Sequence, residues 1–151
     1  MATKLSAAIF GPEATGTLVL RFLAESAYLR YYRGQLDQAV AAFKALVLLM
    51  PDAAIGHQGL AEVYMSQSKF READREAELA AKSPQADRRT TAFAYRVRGK
   101  AMIQMNRLKD AEKSLIRAAE MDAGGEEGKA AQVLLDACRR VGVFPAVAAK
   151  A

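Results

Sequence analysis

The chain has 151 residues and a net charge of +5, a length that suggests one domain and a charge that leaves an acidic partner, nucleic acid or a membrane surface open. No nucleic-acid-binding motif accompanies the charge, so nucleic acid is not an expected partner. Apolar residues make up 52%, ample for a core, and they neither cluster as β-branched runs nor alternate with period two, which excludes a sheet.

Residues 1–16 read as a flexible N-terminal segment. Their apolar patch ends at Gly11-Pro12 and is too short for a secretory signal. Seven helices are predicted: Thr17–Arg33, Leu36–Met50, Ala53–Gln67, Phe70–Lys82, Asp87–Met105, Leu108–Met121 and Glu126–Val141. Gly34, Pro51, Ser83-Pro84, Asn106 and Gly124-Gly125 separate them, because proline and glycine end helices or start turns. Residues 17–141 form the expected domain and 142–151 a flexible C-terminal tail. No apolar run approaches the roughly 20 residues that span a bilayer, so the expectation is a cytoplasmic protein without membrane contact. The single cysteine, Cys138, excludes a disulfide scaffold and fits a reducing compartment.

The organising feature is an internal repeat. Gly34-Gln35-Leu36-Asp37-Gln38-Ala39, Ser68-Lys69-Phe70-Arg71-Glu72-Ala73 and Asn106-Arg107-Leu108-Lys109-Asp110-Ala111 share one pattern: a turn residue, a polar residue, an apolar one, two polar ones and alanine. Ala39 and Ala73 are 34 positions apart, and Ala73 and Ala111 are 38. The longer interval needs four extra residues, expected around Pro84 to Arg89. Ahead of these turns, Ala27, Ala61 and Gly99 recur on the first helix of each pair. Small residues there and at Ala39, Ala73 and Ala111 let two helix axes approach closely.

With His57, Leu60, Ala61 and Tyr64 followed by Ala73, Ala77 and Ala80, the middle unit resembles the tetratricopeptide-repeat (TPR) family. The resemblance covers Thr17 to Met121, with Glu126–Val141 as a capping helix. It implies an all-α, right-handed superhelix of three helix-turn-helix repeats. The outer units depart from the pattern at Arg30, Leu46 and Met102. A weaker similarity, carried by Ala45-Leu46-Val47-Leu48-Leu49, Gly59-Leu60-Ala61 and the short chain, is to small type III secretion chaperones.

The resemblance further implies that the first helices line a concave face. The residues expected there are Arg21, Ala24, Tyr28, Tyr31 and Tyr32, then Ile55, Gln58, Glu62 and Met65, then Phe93, Arg96, Lys100 and Ile103. The partner-binding set is Tyr28, Tyr31, Tyr32, Ile55, Gln58, Glu62, Met65, Phe93, Arg96, Lys100 and Ile103. Tyrosine suits recognition because it offers a large apolar body and a polar tip. Whether the three tyrosines are core or groove is left open. Residues 86–117 carry nine Lys or Arg and three acids, which fits either an acidic peptide or a solvated basic face.

Catalysis is not expected. His57 falls where repeat packing wants bulk, Glu72, Glu76 and Glu78 lie with Arg71 and Arg75 on one charged helix face, and no phosphate loop, ligand cluster or nucleophile motif appears. No metal, cofactor or small-molecule substrate is expected. The expected function is a protein-interaction module, an adaptor or chaperone that binds a segment of another protein, such as a secreted one, in its concave groove. The alternative is a structural subunit that self-associates through its repeats, for example as a homodimer.

Overall fold

The computed structural model describes residues 12–147, with side chains from residue 16 onward. Seven helices and no strand occur among the described residues: α1 (Pro12–Tyr32), α2 (Leu36–Leu49), α3 (Ile55–Ser66), α4 (Phe70–Lys82), α5 (Arg88–Gln104), α6 (Leu108–Met121) and α7 (Glu126–Arg140). Each packs on its chain neighbours. Beyond that, only the odd-numbered helices touch one another, α1 with α3, α3 with α5 and α5 with α7. The even-numbered helices do not touch each other, so the stack curves toward the odd layer, which forms its concave side.

The turn inside each pair is one motif used three times. Gly34, Ser68 and Asn106 all hold left-handed backbone, with φ of 73°, 58° and 58°. In each, the next residue's N–H reaches back to the third-last residue of the helix: Gln35 to Arg30 at 2.9 Å, Lys69 to Tyr64 at 2.9 Å and Arg107 to Met102 at 2.8 Å. This satisfies helix-end carbonyls that would otherwise lack donors.

The four extra residues of the third unit are not in a loop. The connections 50–54 and 83–87 are equally long, whereas α5 has 17 residues and α3 has 12. The insertion is therefore an additional N-terminal turn on α5, since four residues come close to one helical turn. Asp87 caps it by accepting the Thr90 N–H at 2.7 Å. The added turn carries Arg88 to the Met121 carbonyl and Arg89 to Glu126, at 3.1 and 2.7 Å.

Ala27, Ala39, Ala61, Ala73 and Ala111 are fully buried. Where packing is tightest, volume is traded across the interface. Phe43 of α2 lies against Gly59 of α3, where an added Cβ would sit 2.1 Å from the ring. One repeat later the sizes are exchanged: Ala77 of α4 clusters with Val97 and Phe93 of α5. Leu46, one of the departures from the repeat pattern, is buried in the same core as Phe43. At Gly99 a Cβ would meet Leu115 at 2.6 Å.

Several expectations need correction. Residues 12–16, expected within a flexible segment, belong to α1; residues 1–11 lie outside the described ones. The tail does not come free at residue 142. Gly142 turns the chain with φ of 76°, Val143 N–H bonds the Cys138 carbonyl at 2.8 Å, and Phe144 is buried against Leu115 and Leu135. Residues 148–151 lie outside the described ones. Glu76 is not on a solvated face: its carboxylate is 2.7 Å from His57 Nδ1, and both side chains are more than four-fifths buried. The pair ties α3 to α4.

The Phe43–Gly59 contact gives a direct check on the packing. Gly59→Ala should lower stability by about 1–3 kcal/mol, the usual cost of overpacking. Adding Phe43→Leu to that variant should return part of the loss, because it removes the ring that the new methyl meets. Denaturant melts of the two single variants and the double variant measure the coupling, and purely additive effects would refute the contact.

Candidate binding groove

The inner helices run parallel and in register. Tyr31 OH of α1 is 3.0 Å from Ser66 Oγ of α3, a separation of 35 residues that matches the repeat. Along this α1–α3 furrow the concave face holds two recesses. The first, about 370 Å³, lies between Leu20, Arg21, Ala24, Glu25 and Tyr28 of α1 and Ile55 at the start of α3. Its wall is almost wholly apolar, since Arg21 and Glu25 turn to each other at 2.8 Å on the rim. The second, about 280 Å³, is bounded by Tyr31, Glu62, Met65, Ser66, Arg96 and Lys100.

The three tyrosines grade from core to solvent. Tyr28 meets Phe43 edge to face at 4.9 Å and is half-buried. Tyr31 is half-buried at the second recess. Tyr32 is 77% exposed at the rim, its ring centroid 6.2 Å from Tyr28 and 5.3 Å from Tyr31. The open question of core or groove thus has a different answer for each ring.

Of the other expected residues, Ile55 lines the first recess and Glu62, Met65, Arg96 and Lys100 the second. Gln58 is half-buried on α3, one turn before Glu62. Two others line neither recess. Phe93 is only 7% exposed and packs with Ala61, Ala77 and Val97, because the extra turn of α5 places it inside the helix opposite a small residue. Ile103 packs with Met102, Leu115 and Leu135 in the C-terminal core. The repeat register did not single out Leu20, Ser66 or Glu127. Leu20 could have been found one turn ahead of Ala24. Glu127 comes from the cap and carries no repeat signal.

Charge in the groove is balanced. Arg96 Nε is 2.6 Å from Glu127 Oε2, and both are largely buried. Glu127 is held there because Asp122 accepts the N–H groups of Glu127 and Gly128 at 3.0 and 3.3 Å, which fixes the start of α7. Burial pushes the Glu62 carboxyl above its ordinary value, with Arg96 pulling the other way and Glu127 adding to the rise. The Tyr28 phenol is also raised, first by burial and then by the Glu62 charge. Lys100 is exposed and has no ion-pair partner among the described residues. The basic groups expected to attract an acidic segment therefore stand beside two carboxylates that offset them.

Elsewhere, Cys138 is buried, which raises its thiol. Among the described residues no cluster of three or more His, Cys, Asp or Glu could hold a metal ion, and no helix is long and apolar enough to cross a membrane.

No protein-family model matches this sequence, and no curated protein matches it. Solved structures do. The type III secretion translocator chaperone SycD of Yersinia enterocolitica, in an alternative dimer, is similar with a TM-score of 0.72 at 21% identity, over 83% of this chain and 95% of that one. SycD in complex with a peptide of the translocator YopD matches with a TM-score of 0.69 at 21% identity, over 82% and 95%. The first TPR domain of Spaghetti (RPAP3), bound to the HSP90 peptide SRMEEVD, gives a TM-score of 0.69 at 22% identity, over 83% and 94%. These likenesses show the fold: a TPR-like helical repeat.

Glu62 provides a pH test of the groove. Burial raises its folded-state pKa above that of an ordinary glutamate, so folding is favoured by the protonated form, and that contribution fades as pH rises through the folded pKa. Glu62→Gln should therefore match the native chain most closely at about pH 4 and become relatively more stable toward neutral pH. Melts of both proteins across that range give the result; a native chain that gains relative stability toward neutral pH would contradict the desolvated carboxyl.

Proposed function

We propose that this protein is a binding module, an adaptor or chaperone that holds a segment of a partner protein along its concave face. The observation that carries this reading is the furrow between the parallel helices α1 and α3. It has an apolar recess at one end and a polar one at the other, and neither α7 nor the described part of the tail covers it. An extended or helical segment can dock in such a trough, with buried side chains as anchors. Two of the structurally similar proteins hold peptides, which supports the reading. In its finer form the partner is a secreted protein and the chain a type III secretion chaperone. No enzymatic step, cofactor or nucleic acid belongs to this proposal.

The experiment is a pull-down from native lysate with mass spectrometry, followed by affinity measurement for the captured partner. Ile55→Ala and Tyr31→Ala should each weaken binding by about tenfold, or ~1.4 kcal/mol, without loss of helicity. Leu48→Ala, on the outer helix α2 and 82% exposed, should leave it unchanged. Equal affinity for all three variants would move the site off the groove.

A second reading has its own support. Leu18, Phe22 and Leu29 are 48%, 70% and 50% exposed and share the outer face of α1, where no other described helix packs. This is the face through which a self-associating subunit would assemble. If so, Phe22→Glu should abolish concentration-dependent growth in sedimentation velocity. A native chain that stays monomeric at high concentration would exclude it.

A further inference from the structure

The two recesses differ in chemistry and stand at a fixed distance, and together they restrict what the groove accepts. This step rests on the groove reading proposed above. The first recess is centred on residues 17–28 of α1 and Ile55 of α3, the second on Tyr31 and residues 62–66. Both helices advance about nine residues between the two centres, or roughly 13 Å at 1.5 Å per residue. An extended chain covers that distance in about four residues at roughly 3.3 Å each.

We infer that the groove selects an extended segment with one large aliphatic or aromatic side chain and, about four residues away, an uncharged hydrogen-bonding residue. The first recess has room for an apolar side chain among Leu20, Ala24, Tyr28 and Ile55, and its only charges are already paired at the rim. The second offers acceptors in the hydroxyl oxygens of Tyr31 and Ser66, whose hydrogens engage Ser66 Oγ and the Glu62 carbonyl, and groups of both signs in the Glu62 carboxyl and the Lys100 ammonium. Arg96 is committed to Glu127. With Glu62, Arg96, Lys100 and Glu127 together, the charges cancel.

A carboxylate entering this recess gains Lys100 but meets Glu62, which burial already disfavours as an anion. A cation gains Glu62 but meets Lys100 and the Arg96 guanidinium. An amide or hydroxyl can bond to either side without breaking the balance. Truncated or mismatched polar groups left unpaired in such a site lose affinity.

The test is selection of a random peptide display library on the full chain, then synthesis of recovered peptides and fluorescence anisotropy. Recovered sequences should share an apolar residue and an Asn, Gln, Ser or Thr three to five positions apart. Moving that spacing by two residues should weaken binding by about tenfold or more. Changing the polar residue to Asp should weaken it similarly, and Glu62→Gln in the protein should restore much of the loss. Groove-bound peptides with no spacing preference, or a preference for a charged residue at the second position, would overturn the inference alone. Peptides whose affinity ignores both Ile55→Ala and Tyr31→Ala, or a library that yields no binder, would overturn the groove reading with it.

Discussion

Everything in this molecule depends on how closely neighbouring helix backbones can approach. Alanine or glycine at the crossing points leaves the helices free to touch along their axes, and larger side chains fill the remaining gaps. The constraint is on combined volume and not on either residue alone. Phe43 faces Gly59 in one interface, while in the next the corresponding residues are Ala77 and Val97. The same space is filled from opposite sides. A change of side-chain size at one crossing is therefore accommodated by the residue that faces it across the same interface.

Close packing alone would not align a groove. Alignment follows from the shared left-handed turn at Gly34, Ser68 and Asn106, which returns the chain at nearly the same angle each time. It brings the first helices side by side, so that residues about one repeat apart, such as Tyr31 and Ser66, meet across the concave face. The third unit keeps this alignment because its insertion is close to a whole helical turn. A loop insertion of the same length would have left α5 free to shift. The added turn instead anchors α5 to the cap through Arg88 and Arg89.

Electrostatics is where local reading and assembled structure part most. The basic stretch 86–117 suggests a surface that attracts anions. In the fold, Arg98 lies 2.7 Å from Asp74, Arg107 2.9 Å from Asp110, and Arg89 and Arg96 reach Glu126 and Glu127 of the cap. The acids that answer these bases come mostly from other helices. What remains in the groove is a pair of opposite charges on each side, which favours selection by shape and hydrogen bonding over attraction by net charge.

The sequence by itself determined the helices, the three units, the small residues at the crossings and most of one groove wall. These features repeat at fixed spacing and depend on contacts within a turn or between adjacent helices, so periodicity exposes them. Tertiary structure alone decided which side chains the groove keeps. Phe93 went to the core because Ala77 leaves room opposite it, and Ile103 joined the cluster under α7. Phe144 closed the end of the core, although the tail has no periodic signal at all. Glu127 neutralised Arg96 from 31 residues away. The physical reason is common to all four: depth and charge balance are set by residues that face each other from different helices. Those pairings exist only once the helices have packed.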